Sequence, residues 1–365
     1  MKQVMRERRL VSLFLLIFWG ALTLTGCGGG LPAVSWFGVA ASEDTVYLAA
    51  NEQVFALDLE SGVEKWAFPP QPDRERGPFY ATPLLTNDAL VVGGFTNDGE
   101  LYAISQDSGT QEWVVETEGR IVEGAVSVDG GVVVGNNEGE VYLVEIETRE
   151  KRALLKAEKP IWATPLVDEV NGRAYIASMD HHLYAVHLES GEQLWAFKVG
   201  GALAGTPALG DGMLYFGALD STIYAIDADT ATELWHFRTK GWVWGGPLVH
   251  EGTVYCGDMA GYLYALDATD GSERWPAFEA EGGVRAKPLL AGDLLYFGTR
   301  QGKVYAVKAE DGTQQWALPL TGAIYGRPVL RGDYLLVAPH NAKVKLVALN
   351  AESGVERWSY PRREE

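Results

Sequence analysis

From residue 36 onward, apolar and polar positions alternate in short runs, and no stretch keeps a helical period. The segment GTPALGDGMLYFGALDSTIYAIDADTATELWHFR, from Gly205 to Arg238, shows the unit. Four runs rich in Val, Leu, Ile, Tyr, Phe and Trp are separated by turn residues, which predicts a four-stranded antiparallel meander. The unit recurs. An apolar triplet ends on a small residue at Ala49, Gly93, Gly135, Ala177, Gly217, Gly257, Gly298 and Ala338. Tryptophans stand near the end of each fourth run at Trp66, Trp113, Trp195, Trp235, Trp275, Trp316 and Trp358, with Ala153 at the corresponding place in a degenerate third copy. The spacing is then 47, 40, 42, 40, 40, 41 and 42 residues. Eight four-stranded units of this length predict an all-β fold, an eight-bladed β-propeller of antiparallel blades over residues 34–361.

Within each copy the third strand carries an aromatic followed by a small residue, as in Phe55-Ala56, Tyr184-Ala185 and Tyr264-Ala265. The ring packs where the neighbouring sheet leaves room. The following turn runs from Asp to Gly, as in Asp58 to Gly62 and Asp267 to Gly271. Asp there bonds the backbone and Gly accepts positive φ, so these aspartates read as scaffold rather than catalytic groups. The repeated tryptophans are expected to wedge between blades. The first copy begins in phase near Trp36 and the last ends in phase near Tyr360. A strand borrowed from the opposite terminus is therefore not evident, and ring closure is expected to rest on blade-to-blade packing.

The stretch VYCGDMAGYLYALDATDGSERW, Val254 to Trp275, resembles the pyrroloquinoline quinone-type propeller repeat, and the resemblance extends over residues 36–360. Quinoprotein dehydrogenases share that repeat, and the resemblance implies a test for an enzyme. Members that use the quinone pair adjacent cysteines with a calcium site and a catalytic Asp. Here Cys27 and Cys256 are the two cysteines, and Cys256 lies where other copies have Leu48, Val92, Ile176 or Phe216, so it reads as core. No DxDxDG, HExxH, GxSxG or GxxxxGK[ST] pattern is present. His181 and His182 occupy a turn, and adjacent strand residues point apart, which argues against a shared metal. No catalytic residue, cofactor or metal is assigned.

Lys2, Arg6, Arg8 and Arg9 precede the mostly apolar run 10–24 and then Thr25-Gly26-Cys27, the layout of an export signal. The LTGC ending resembles the lipobox of bacterial lipoproteins, which implies removal of residues 1–26, acylation of Cys27 and a flexible tether over 27–33. The alternative is an uncleaved anchor, although the run is shorter than the ~20 residues a span needs. In lipoproteins an Asp after the acylated cysteine marks retention at the inner membrane; Gly28 stands here, which favours the outer membrane if the source has two. The chain carries 30 Lys and Arg against 49 Asp and Glu, a formal charge of −19, which opposes a nucleic-acid partner. Residues 362–365 form a short charged tail.

Two features mark a candidate partner surface. Three residues before the strand-one proline, or the Val39 and Val126 that replace it, stand Trp36, Tyr80, Glu123, Trp162, Ala204, Trp244, Arg285 and Tyr325. That position opens the innermost strand, so these side chains should ring one mouth of the central channel, either to hold an extended peptide or flat ligand or simply to plug the funnel or pack between blades. The connection from Trp66 to Pro83 takes 17 residues against 12 or 13 in most blades, adding a proline-stiffened, charged loop over 69–78 with Pro70, Asp73, Arg74 and Arg76. Blade three is the most degenerate, with Val126 for Pro, Leu143 for Ala, Arg149 for Gly and Ala153 for Trp. Lipobox, size and eight repeats are similar to those of the BamB-type lipoproteins of the outer-membrane β-barrel assembly machinery. That resemblance implies a non-enzymatic, membrane-anchored scaffold at the cell envelope, facing the periplasm from the outer membrane or, in a single-membrane cell, lying outside it, with a barrel-assembly protein or an unfolded client as partner. The chain itself is expected to be a monomer. An exported ligand-binding or sensor propeller is the alternative, and a quinone-dependent oxidoreductase a more remote one.

Overall fold

The structure, a computed structural model, describes residues 36–363 except 74, 75 and 77. The export segment, Cys27, the tether, Arg74 and the last two residues lie outside the described residues. Eight four-stranded antiparallel sheets follow one another along the chain, each a simple meander, and no helix occurs among the described residues. Blade five is representative: Ala208–Gly210, Met213–Ala218, Thr222–Asp227 and Glu233–Arg238. The blades span 38–68, 84–116, 125–156, 166–198, 208–238, 248–279, 289–319 and 329–360. One two-residue ladder stands outside this scheme, pairing Ala323–Ile324 with Pro339–His340.

The strand pattern explains the burial. Second and third strands are nearly continuous apolar runs because both of their faces are covered by neighbouring blades, whereas the outer fourth strands alternate, as in Gln111–Glu116 with Trp113 and Val115 inward. The core is thus a series of inter-blade layers rather than one central mass.

Six of the eight layers are fastened in the same way. The indole N–H of a fourth-strand tryptophan donates to a backbone carbonyl at the start of the next blade's strand three to four turn: Trp66 to Gln106, Trp195 to Ala228, Trp235 to Ala268, Trp275 to Ala309 and Trp316 to Ala351, at 2.9–3.1 Å. In most junctions the ring lies on a turn glycine, while Ala231 takes that place in blade five. A Cβ on Gly271 would lie 2.7 Å from the Trp235 ring, and the residue sits at φ +74°, so packing and conformation both demand glycine there. The same bond closes the circle, since Trp358 of the last blade donates to Leu59 of the first at 2.8 Å. Phe37, Leu57, Leu336 and Trp358 share one core layer across this junction. Blade one draws all four strands from 38–68 and blade eight from 329–360, so no strand is exchanged between termini.

Blade three departs from the rule instructively. In the other seven blades the tryptophan pairs across from the small residue of strand three, as Ala225 with Trp235 and Ala103 with Trp113. In blade three the register slip comes earlier, and Leu143 pairs with Arg152, while Ala153 faces Tyr142. Arg152, not Ala153, therefore occupies the tryptophan's place, and its guanidinium donates to the Leu188 carbonyl at 3.0 Å, the equivalent acceptor in blade four. On the other side of this blade Arg149 takes the turn glycine's positive φ of 66° and lays its guanidinium over Trp113 at 4.8 Å.

If closure depends on the junction between the last blade and the first, Trp358→Ala removes a large buried ring and a hydrogen bond together and should cost about 3–5 kcal/mol in urea unfolding. A loss below about 1 kcal/mol, less than a typical buried large-to-small change, would show that the ring is closed by something else.

Candidate interaction site at the channel mouth

The side chains that lead into each first strand are set in place by their predecessors. Val284 and Ile324, both buried, rest on the glycines that end strand two of the preceding blade; a Cβ on Gly257 would lie 2.3 Å from Val284 and one on Gly298 2.2 Å from Ile324. This contact is why the apolar triplet must end on a small residue. With Val284 and Ile324 locked inward, the alternation of extended chain turns the next residues, Arg285 and Tyr325, toward the axis.

The structure draws most of the ring into one cluster. The Arg285 guanidinium is buried, lying 4.2 Å from the Trp36 ring centre, 4.5 Å from that of Trp244 and 4.9 Å from that of Tyr325. Trp162 stacks on Trp244 with centroids 5.9 Å apart at 29°. Trp36 and Trp162 are buried, Trp244 and Tyr325 half-buried. Stacking a cation on aromatic faces suits guanidinium, which is planar and weakly hydrated, better than ammonium. Burial nevertheless pulls Arg285 down to about 10, so it remains charged at neutral pH. Across the channel Glu123 accepts a hydrogen bond from the Thr164 N–H at 2.9 Å. Burial pushes its carboxyl upward, opposed by that bond and by the charges of Arg285 and Lys287. His340 packs against Phe37 and Tyr325, and burial and the nearby Arg285 lower its tendency to protonate.

Not every ring position joins this cluster. Tyr80 packs edge-on to Phe95, whose ring also carries the Arg120 guanidinium at 5.2 Å, and Ala204 lines the channel without a polar group. The channel holds a cavity of about 480 Å³ lined by residues of all eight blades, Trp36, Trp244, Arg285 and Tyr325 of the cluster among them. It exposes a second tier two residues further along, in which Thr82, Thr164, Thr206, Lys287 and Arg327 stand. Sequence reading at a single register passes over this tier, although the two-residue period of extended chain points to it.

The 69–78 connection is anchored at its ends. Gln53 donates to the Pro69 carbonyl at 2.9 Å, Pro70 is exposed, Asp73 pairs with Arg76 at 3.3 Å, and Arg76 also reaches Gln111 at 3.0 Å and lies over Phe68. A second, open hollow of about 1150 Å³ lies beside blade three, bordered by Trp113, Asp129, Glu145, Glu147, Arg149 and Arg152. Cys256 is fully buried, and burial pushes its thiol up to about 12. His181 is exposed, and His182 faces Asp180 at 3.2 Å. Among the described residues no group of three or more His, Cys, Asp or Glu converges as a metal site would require. The turn aspartates are occupied by backbone and hydroxyl donors, Asp58 by Ser61 and Asp227 by Thr230, which lower their pKa.

The sequence profile described as outer membrane protein assembly factor BamB matches residues 19–159, 153–277 and 277–365. The chain belongs to the BamB family. The outer membrane protein assembly factor BamB of Moranella endobia (strain PCIT) is 24% identical over 194 residues, 48% of this chain and 48% of that protein. The match thus spans about half the length of that curated relative. The crystal structure of BamB from Moraxella catarrhalis superposes with a TM-score of 0.66 at 18% identity, covering 86% of this chain and 91% of that one. The computationally designed Ika8 protein superposes with a TM-score of 0.74 at 14% identity, covering 86% and 96%. Identities this low speak for the fold. Membership of the BamB family accounts for the PQQ-like repeat and the eight blades.

Two measurements check the site as described. Arg285→Ala empties the centre of the aromatic cluster and should destabilise the protein by about 2–4 kcal/mol while making its tryptophans more accessible to acrylamide. Cys256 should resist a thiol reagent in the folded protein and react only on unfolding; rapid labelling under native conditions would contradict its burial.

Proposed function

We propose that this protein is a membrane-anchored, non-enzymatic interaction scaffold of the cell envelope that assists outer-membrane protein assembly. The observation that carries the reading is the family profile, whose three matches run without a gap from residue 19 to residue 365. In this reading Cys27 is the acylated residue and residues 27–33 are the tether, with the propeller held on the periplasmic side of the outer membrane. Its partners are proteins: a β-barrel assembly component or an unfolded client. The aromatic and charged rim formed by Trp36, Tyr80, Glu123, Trp162, Trp244, Arg285 and Tyr325, together with the 69–78 loop, supplies the contact surface. Large rings and arginine are well suited to that task because they bury much area with few rotors, and a rigid scaffold keeps them preorganised. The overall negative charge directs binding toward neutral or basic surfaces and away from anionic lipid.

Crosslinking of the tagged chain in its native membrane, followed by mass spectrometry, tests this directly. The expected result is capture of a barrel-assembly protein, with capture reduced at least several-fold by Trp162→Ala with Trp244→Ala in a protein that still folds. A stable, abundant protein that captures no assembly component would overturn the reading. Cys27→Ser should abolish incorporation of labelled fatty acid and release the protein from the membrane fraction; retention there would contradict lipid anchoring.

A further inference from the structure

The central cavity has a charge opposite to that of the chain around it. The protein carries a formal −19, yet the charged side chains lining the cavity are Arg285, Lys287 and Arg327 against Glu123 alone. Two of the cations come from the segment leading into strand one of blade seven and the third from the same register of blade eight, so Lys287 and Arg327 stand on neighbouring segments and face one space. Neither forms an ion pair or a side-chain hydrogen bond among the described residues. That contrasts with the outside of the blades, where Lys151, Lys303 and Arg274 are paired with Glu118, Glu281 and Asp267.

Like charges that face one space repel one another. Burial, with the neighbouring Arg327 charge added, pulls Lys287 down to about 8; the protein around Arg327 lowers it as well, although that residue is itself exposed. Glu123 relieves this only partly, because it is one carboxyl against three cations and burial pushes it toward its neutral form. A bound anion would satisfy both cations at once, and partial exclusion from bulk water strengthens the attraction. The cavity of about 480 Å³ has the size of a small-molecule pocket, and Thr82, Thr164 and Thr206 add hydroxyls to its wall.

We infer that the central channel is a binding site for a small oxyanion, a molecule bearing phosphate or clustered carboxylates, gripped by Lys287 and Arg327 with Arg285 at the aromatic end. Arg285 belongs both to this site and to the proposed protein-contact rim, whereas Lys287 and Arg327 belong to the cavity alone, and the test needs no partner protein.

The purified full chain, at low ionic strength, is titrated by calorimetry with sodium phosphate and, separately, with tricarballylate, with sodium chloride at matched ionic strength as control. The expected result is saturable one-to-one binding of at least one probe with a sub-millimolar Kd and a rise in melting temperature that chloride does not reproduce. Binding of phosphate alone assigns the site to phosphate-bearing ligands, and binding of tricarballylate alone to polycarboxylates. Lys287→Met and Arg327→Met should each weaken binding at least tenfold, whereas Lys198→Met, on the outer strand of blade four, should not. The two channel variants without ligand should melt no lower than the parent, since each removes like-charge repulsion, so lost binding would not reflect lost folding. Absence of binding by both probes at millimolar concentration, an equal effect of chloride, or unchanged affinity in both channel variants would overturn the inference.

Discussion

The structure depends on one repeated bond, from an indole N–H to a turn carbonyl of the next blade. A propeller blade cannot cover its own two faces, so its stability resides in its neighbours, as in any array of stacked repeats. Here the contact is asymmetric: seven of the eight blades give a tryptophan forward, and most offer a bare glycine turn backward, Arg149 and Ala231 standing at that turn in blades three and five. Because Trp358 and Leu59 repeat this relation between the last blade and the first, closing the ring requires no separate device. The junction also tolerates substitution when its polarity is kept. Arg152 replaces an indole with a guanidinium and reaches the same acceptor, and Arg149 replaces the turn glycine by stacking on the ring that the glycine would have met.

The same packing that joins the blades aims their inner ends. Small residues closing the second strands admit Val284 and Ile324, and these fix the phase in which Arg285 and Tyr325 turn to the axis. Eight strands converging on an axis leave little room, so the inward side chains interact with one another before they meet anything else. Four aromatic residues and one arginine solve this by stacking, which is dense and keeps the positive charge of the arginine against ring faces. Two residues further along the chain, threonine and the two other cations line an open space. The channel thus has an apolar, filled end and a polar, hollow interior, made by alternate residues of the same short segments.

Blade three shows how a local change of side chain alters the outer wall. Guanidinium takes the place of indole between blades three and four, leucine stands where the tryptophan normally finds alanine, and a hollow edged mostly by acidic residues lies beside them. The meander order itself is unaffected, and the register differs only between the third and fourth strands.

The fold was legible in the sequence because its determinants are local and repeated eight times: the apolar triplet, the aromatic with its small neighbour, the Asp to Gly turn and the tryptophan each answer to a contact made at nearly every junction. The ring at the channel mouth was legible as a set of positions for the same reason, and so was the core placement of Cys256. Which of those positions meet was not, because Tyr80 and Arg285 hold equivalent places in their blades and yet pack on Phe95 and on three aromatic rings respectively. Nor did the spacing of tryptophans disclose Arg152, since a one-residue change of register in a bulged strand pair is invisible along the chain. The sequence by itself determined the blades, their number and the junction chemistry, since each depends on neighbours within a repeat period. Only the tertiary structure decided the cation cage and the charge of the cavity, because those arise where residues from blades far apart in the chain are brought to one axis.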